Sequence, residues 1–171
     1  MYALKLAKEK KIPVIMDIDY RPYTWESEDK AKEIYNLAGD YCSGIIGNDD
    51  EFAILSGNYH DGLSYAKKIS RNCDLVIYKM GEKGSITFAN NEEIERGIFP
   101  VKALKPTGAG DAFMGSLIGA ILKNYDLQKA IEIGSAAAAI VVTKVGCDPA
   151  TPDLDKVLDF MKNNNINKRE R

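Results

Sequence analysis

Apolar and polar positions along this chain fall into short blocks, and their period keeps switching between that of a helix and that of a strand. Residues 2–10 carry apolar side chains at helical spacing. Residues 13–19 (PVIMDID) are a short apolar run, which predicts a buried strand. Residues 21–28 form a loop around Pro22, and residues 29–37 a helix. A second short strand is predicted over 43–46, then helices over 49–55 and 63–70. Residues 74–79 (DLVIYK) predict a strand, MGEKG a glycine turn, and 85–89 (SITFA) the next strand. Residues 92–99 pair back on it across the Asn90-Asn91 turn. Three helices follow, over 111–123, 127–144 and 153–162. Strands alternating with helices and then a meander predict an α/β fold. Its sheet is mostly parallel, covered by helices and antiparallel at one edge.

Composition narrows the function. The chain has 171 residues, enough for one domain with a real core. A net charge of −2 gives no basic excess, so no nucleic-acid partner is expected. No apolar stretch is long enough to span a bilayer, so no membrane partner is expected either; the run from Ala136 to Val142 reads as a buried helix. The amino-terminal residues are amphipathic and lack the apolar block of a signal peptide. Cys42, Cys73 and Cys147 stand far apart without C-x-x-C spacing, which argues for a reducing, cytoplasmic setting. His60 is the only histidine and lies in a turn-like stretch, so a Ser-His-Asp mechanism has little to build on.

Candidate chemistry gathers where strands end, the usual ligand side of such sheets. Asp17 and Asp19 close one strand, Asn48 follows another, and Lys79 and Gly81 end a third. Gly108, Ala109 and Gly110 offer backbone N–H groups with almost no steric cover just before a helix, a site for an anion. Asp111 fits equally as that helix's N-cap. Asn48 and Glu51 have the spacing of a capping box. Gly81 and Gly84 frame a turn whose backbone can approach a ligand or simply join two strands. Neither the P-loop nor the dinucleotide fingerprint is present.

Five segments in order carry a resemblance: DIDYRPYTW, GNDDE, YKMGEKGSITF, KPTGAGDAFMGSLIGAIL and GSAAAAIVVTKVG. Together they resemble the ribokinase-like carbohydrate kinases, the phosphofructokinase B family, over nearly the whole chain. The resemblance implies a three-layer α/β/α fold and ATP-dependent phosphorylation of a hydroxyl on a sugar or sugar acid. Asp111 is then the general base, and Gly108, Ala109 and Gly110 the anion hole for the transferred phosphoryl. Asn48 and Glu51 lie near Mg²⁺, partly through water. Lys79, Gly81, Gly84, Ser135, Val145, Gly146 and Cys147 belong to the nucleotide site. Arg21 either grips a substrate carboxylate or pairs with Asp17 or Asp19, with Tyr23 and Trp25 packing the same loop. The family's usual D-T-T-G-A-G-D begins here with Lys105 and Pro106, and an ammonium where a monovalent cation often sits implies no need for K⁺. Asp19 replaces the Asn of the D-x-N pattern. The match corresponds to the carboxyl-terminal half of such a kinase, residues 1–171 forming the nucleotide-binding and catalytic part, with the amino-terminal half and lid missing. The expected partners are therefore a small sugar or sugar acid and either a second copy or the missing half. The alternatives are another kinase of this family, acting on 2-keto-3-deoxygluconate or on fructose, or a truncated relative that binds nucleotide without turnover.

Overall fold

The computed structural model describes residues 1–145 and 151–169. The chain divides into two compact units, Met1–Gly81 with Ser85–Glu95, and Glu82–Gly84 with Arg96–Arg171.

The first unit holds the sheet. Its strands are β1 (Ile15–Asp17), β2 (Gly44–Asn48), β3 (Leu75–Lys79), β4 (Ser85–Ala89) and β5 (Glu92–Arg96), side by side in that order. β1, β2 and β3 are parallel, and β4 runs antiparallel to β3. Among the described residues the fold is thus the expected α/β class, parallel with an antiparallel edge. The helices of this unit are α1 (Tyr2–Glu9), α2 (Glu28–Gly39), α3 (Asp49–Ser56) and α4 (Gly62–Ile69). Ile45, Val76, Tyr78, Ile86 and Phe88 present one face of the sheet to Phe52 and Leu55 of α3 and Ala66 of α4. Phe52 is fully buried and its ring lies 5.4 Å from that of Tyr78. Truncating it to alanine would cost about 3–5 kcal/mol. Asn90 and Asn91 turn the β4–β5 hairpin with φ of 52° and 61°, the left-handed pair of a type I′ turn that asparagine tolerates.

Two strands are shorter than the apolar pattern predicts. β1 keeps only three residues of the 13–19 run, because Pro13 has no N–H to give a ladder and Asp19 turns left-handed at φ 41°. β5 ends at Arg96 rather than at 99. Beyond it Ile98 exchanges its backbone bonds with Asn167, donating to the Asn167 Oδ1 (2.6 Å) and accepting from its N–H (2.9 Å).

The second unit is helical, with α5 (Ala109–Leu122), α6 (Leu127–Val142) and α7 (Leu154–Asn163). α5 lies against α6 at Gly134, where an added Cβ would come within 2.9 Å of the Phe113 carbonyl oxygen. Phe99 meets Phe160 of α7 edge-on at 5.5 Å. The Val142 carbonyl at the end of α6 accepts from the N–H groups of both Leu104 (2.7 Å) and Lys105 (3.2 Å). Those bonds satisfy one of the helix's orphan acceptors and fix the segment that leads into α5. Among the described residues no helix is long and apolar enough to cross a membrane.

Candidate functional site

In the first unit the carboxyl ends of β1, β2 and β3 carry Asp17, Asn48 and Lys79. Register sets Asn48 beside Lys79, and Lys79 beside Ser85 of β4. Asn48 caps α3: its Oδ1 accepts from the Glu51 N–H at 2.8 Å, and Glu51 Oε2 accepts from the Asn48 N–H at 2.7 Å. Both halves of the capping box are therefore made. A contact from far along the chain adds to it, since the Tyr20 N–H donates to the other carboxylate oxygen of Glu51 at 3.3 Å. Glu51 is only 7% exposed. Burial pushes its carboxyl up, the Asn48 N–H and the Lys79 ammonium draw it back, and the Asp17 charge raises it again. Gly47 makes the room, because a Cβ there would press on Ile18 and on Glu51 Oε2.

The loop after β1 places Asp19 and Arg21 side by side, their ion pair 2.6 Å long and both side chains more than half exposed. Of the two carboxylates weighed for Arg21, Asp19 is the partner in this ion pair. An exposed pair of this kind contributes under about 1 kcal/mol. The guanidinium is held yet stays open to solvent. Trp25 packs on Tyr35 with ring centroids 5.0 Å apart. Tyr23 does not share in that packing and is 85% exposed, a correction to the expectation that both rings pack the loop. Beside Arg21 a groove of about 580 Å³ opens between α2 and α3, within the usual range of small-molecule sites. Asn48 and Glu51 line it together with Arg21.

The glycine turn divides by role. Gly81 has φ 57° and open space where a Cβ would stand, so its backbone is uncovered. Gly84 has φ 88°, and a Cβ there would collide with the Arg96 carbonyl oxygen. Gly84 is a packing requirement, a point the spacing alone leaves open.

In the second unit the GAGD stretch does not cap its helix with Asp111. α5 starts two residues earlier, at Ala109, and Gly108 is its N-cap at φ 87°, a conformation glycine takes without strain. Asp111 therefore sits in the first turn at N3 with an exposed side chain. The Ala109 N–H turns back to the Pro106 carbonyl at 3.2 Å. Among the described residues that leaves Gly110 and Asp111 as the unpaired donors of the first turn, with the positive end of the helix dipole behind them. A carboxylate and two free N–H groups within one turn can hold an anion and accept a proton beside it. Ser135 is buried on α6, and Val145 is 82% exposed. Gly146 and Cys147 lie outside the described residues.

Among the described residues no cluster of three or more His, Cys, Asp or Glu side chains could hold a metal ion. Glu51 already accepts two backbone N–H bonds, and each oxygen keeps a second lone pair. That donor set fits an ion such as Mg²⁺, which retains several waters and relies on substrate phosphates, and does not fit an all-protein cage.

The pfkB family carbohydrate kinase model matches residues 2–154. A 5-dehydro-2-deoxygluconokinase of Geobacillus thermodenitrificans is 36% identical over 165 residues, which is 94% of this chain and 49% of that protein. The ribokinase of Thermotoga maritima superposes with a TM-score of 0.76 at 29% identity, covering 94% of this chain and 52% of that one. The aminoimidazole riboside kinase of Salmonella enterica, crystallised with aminoimidazole riboside and an ATP analogue, gives a TM-score of 0.81 at 27% identity, over 93% of this chain and 56% of its own. The chain spans about half the length of the curated relatives it matches. Since the matched residues run through both units and take in the β1 loop, the α3 capping box, the glycine turn and the start of α5, the chain belongs to the pfkB family of carbohydrate kinases.

Proposed function

We propose that this chain carries the nucleotide-binding and catalytic part of an ATP-dependent kinase that phosphorylates a hydroxyl of a sugar acid, 5-dehydro-2-deoxygluconate, in myo-inositol breakdown. The observation that carries the reading is the start of α5, where N–H groups unpaired among the described residues and the exposed Asp111 share one turn. Asp111 takes the proton of the acceptor hydroxyl as its oxygen attacks the γ-phosphorus of ATP, and the bond from that phosphorus to the β,γ-bridging oxygen breaks to release ADP. The N–H donors at Gly108–Asp111 stabilise the charge on the transferring phosphoryl, with Gly110 and Asp111 contributing most because the Ala109 N–H is engaged elsewhere. Asn48 and Glu51 would hold Mg²⁺ through its waters, and the ion supplies charge neutralisation on the phosphates. Gly81 and Lys79 serve the nucleotide, with Ser135 and Val145–Cys147 of the expected nucleotide set. The Arg21 guanidinium takes the substrate carboxylate, exchanging its solvated pairing with Asp19 for a bidentate one. The chain pairs with a complementary half or a second copy to complete the enzyme.

The test begins with thermal unfolding of the chain with and without Mg·ATP. A ligand at a hundred times its Kd adds roughly 2.7 kcal/mol, a shift of several degrees. Turnover of the sugar acid is then compared between the natural chain and Asp111→Asn. The variant should lose on the order of 10²–10⁴-fold in kcat while keeping the ATP-induced shift. Equal turnover by the two would remove Asp111 from the chemistry. Nucleotide binding without any turnover would favour instead a module that binds and does not catalyse.

A further inference from the structure

The groove between α2 and α3 holds a second cation that the proposed function does not use. Lys32, on the second turn of α2, lines it with Arg21. Its ammonium sits over Gly57, the left-handed residue (φ 76°) that closes α3, and a Cβ on Gly57 would collide with it. Lys32 is half-buried and makes no ion pair among the described residues. The neighbouring Lys30, by contrast, is paired with Glu33 at 2.7 Å. The rest of the lining is mixed. Asp29 and Asp50 offer acceptors, and Tyr20 and Tyr59 offer rings, that of Tyr59 being 72% exposed. A nucleotide or free phosphate would meet two cations and an excess of carboxylates. A polyhydroxylated acid meets a better match: cations for its one carboxylate, carboxylates for its hydroxyls and aromatic faces for its C–H surface.

We infer that Lys32 is the second cationic arm for the substrate's carboxylate, acting with Arg21 across this groove and selecting acids over neutral sugars. The inference rests on the sugar-acid reading above. It is tested by titration calorimetry on the full chain with two probes, 5-dehydro-2-deoxygluconate and its uncharged methyl amide. Lys32→Met should weaken the acid by about tenfold and leave the amide unchanged, and Lys32→Arg should keep most of the acid's affinity. Mg·ATP binding and the unfolding midpoint should stay at the natural chain's values. A Lys32 that merely neutralises the end of α3 would instead lower the midpoint and treat the two probes alike, which would overturn the inference. If the natural chain binds the acid and Arg21→Met weakens it while Lys32→Met does not, the function stands and Lys32 has no part in it. If the natural chain binds neither probe, the sugar-acid reading falls and takes this one with it.

Discussion

Two glycines of one turn should respond very differently to the same substitution. Gly81 has φ 57°, close to the centre of the left-handed region, and no described residue lies within 4 Å of where its Cβ would stand. Gly81→Ala should therefore cost only the backbone term, about 1 kcal/mol. Gly84 has φ 88°, and its Cβ would run into the Arg96 carbonyl and approach the Gly97 Cα to 2.9 Å. These are backbone atoms, and the neighbouring segment is held where it is. Arg96 Nη2 donates to Gln128 Oε1 at 2.6 Å, and Ile98 is bonded on both sides to Asn167. Because the atoms met are backbone, Gly84→Ala adds an overpacking cost in the upper part of the usual range, about 2–3 kcal/mol, to a backbone cost of about 1–2, some 3–5 kcal/mol in all. Urea denaturation of both variants, fitted for the slope as well as the midpoint, measures the difference. About 2–4 kcal/mol should separate them, which for a chain of this size is roughly 5–15 °C in Tm. If the two variants agree within about 1 kcal/mol, the division of the turn into a packing glycine and an open glycine is wrong. Nucleotide affinity should run the other way, with Gly81→Ala weakening Mg·ATP binding in a protein that is still well folded.

Thr87 is fully buried and its Oγ1 has no hydrogen-bond partner among the described residues, so Thr87→Val, which keeps the shape, should raise stability by about 1–2 kcal/mol in chemical denaturation; a loss would mean that the hydroxyl is satisfied in solution. Burial raises the Glu51 carboxyl in the folded chain, so the native state binds that proton more tightly than the unfolded state does. The stabilisation is complete below the ordinary carboxylate range, from about pH 4, and is lost as pH rises through the elevated folded value. Denaturation of the natural chain and Glu51→Gln at pH 4.5 and pH 8 should accordingly show the variant gaining relative stability at the higher pH, and the opposite slope would contradict the burial argument.

What the sequence made legible was local. The capping box of Asn48 and Glu51 follows from a spacing of three, and the β4–β5 hairpin from two adjacent asparagines between strands. Ser85–Ala89 forms its strand with the predicted limits. What escaped involves residues far apart in the chain. Tyr20 reaches Glu51 across 31 positions, and Ile98 leaves the predicted strand because Asn167 offers it better bonds. The collision that makes Gly84 obligatory comes from Arg96, and the seat of Lys32 is a glycine on another helix. The start of α5 is an error of a different kind. Asp is a favoured N-cap, but Gly108 can adopt φ 87° at no steric cost and takes the cap three residues sooner than expected. Asp19 shows a signal that was available. Its φ of 41° explains why Asp can stand where the family pattern has Asn, since those two residue types tolerate left-handed backbone best.

The strands lie side by side in the order in which they occur in the chain. No later strand has to insert between two earlier ones, and none has to wait at an open position for a distant partner. Each described strand after β1 has a sheet neighbour just before it in the chain, and it extends the sheet by one edge. The β3–β4–β5 meander closes only short loops, so it can form quickly on its own, while the parallel pairs must wait for the helices that connect them. Assembly of the described strands can therefore proceed along the row from the meander without undoing a step.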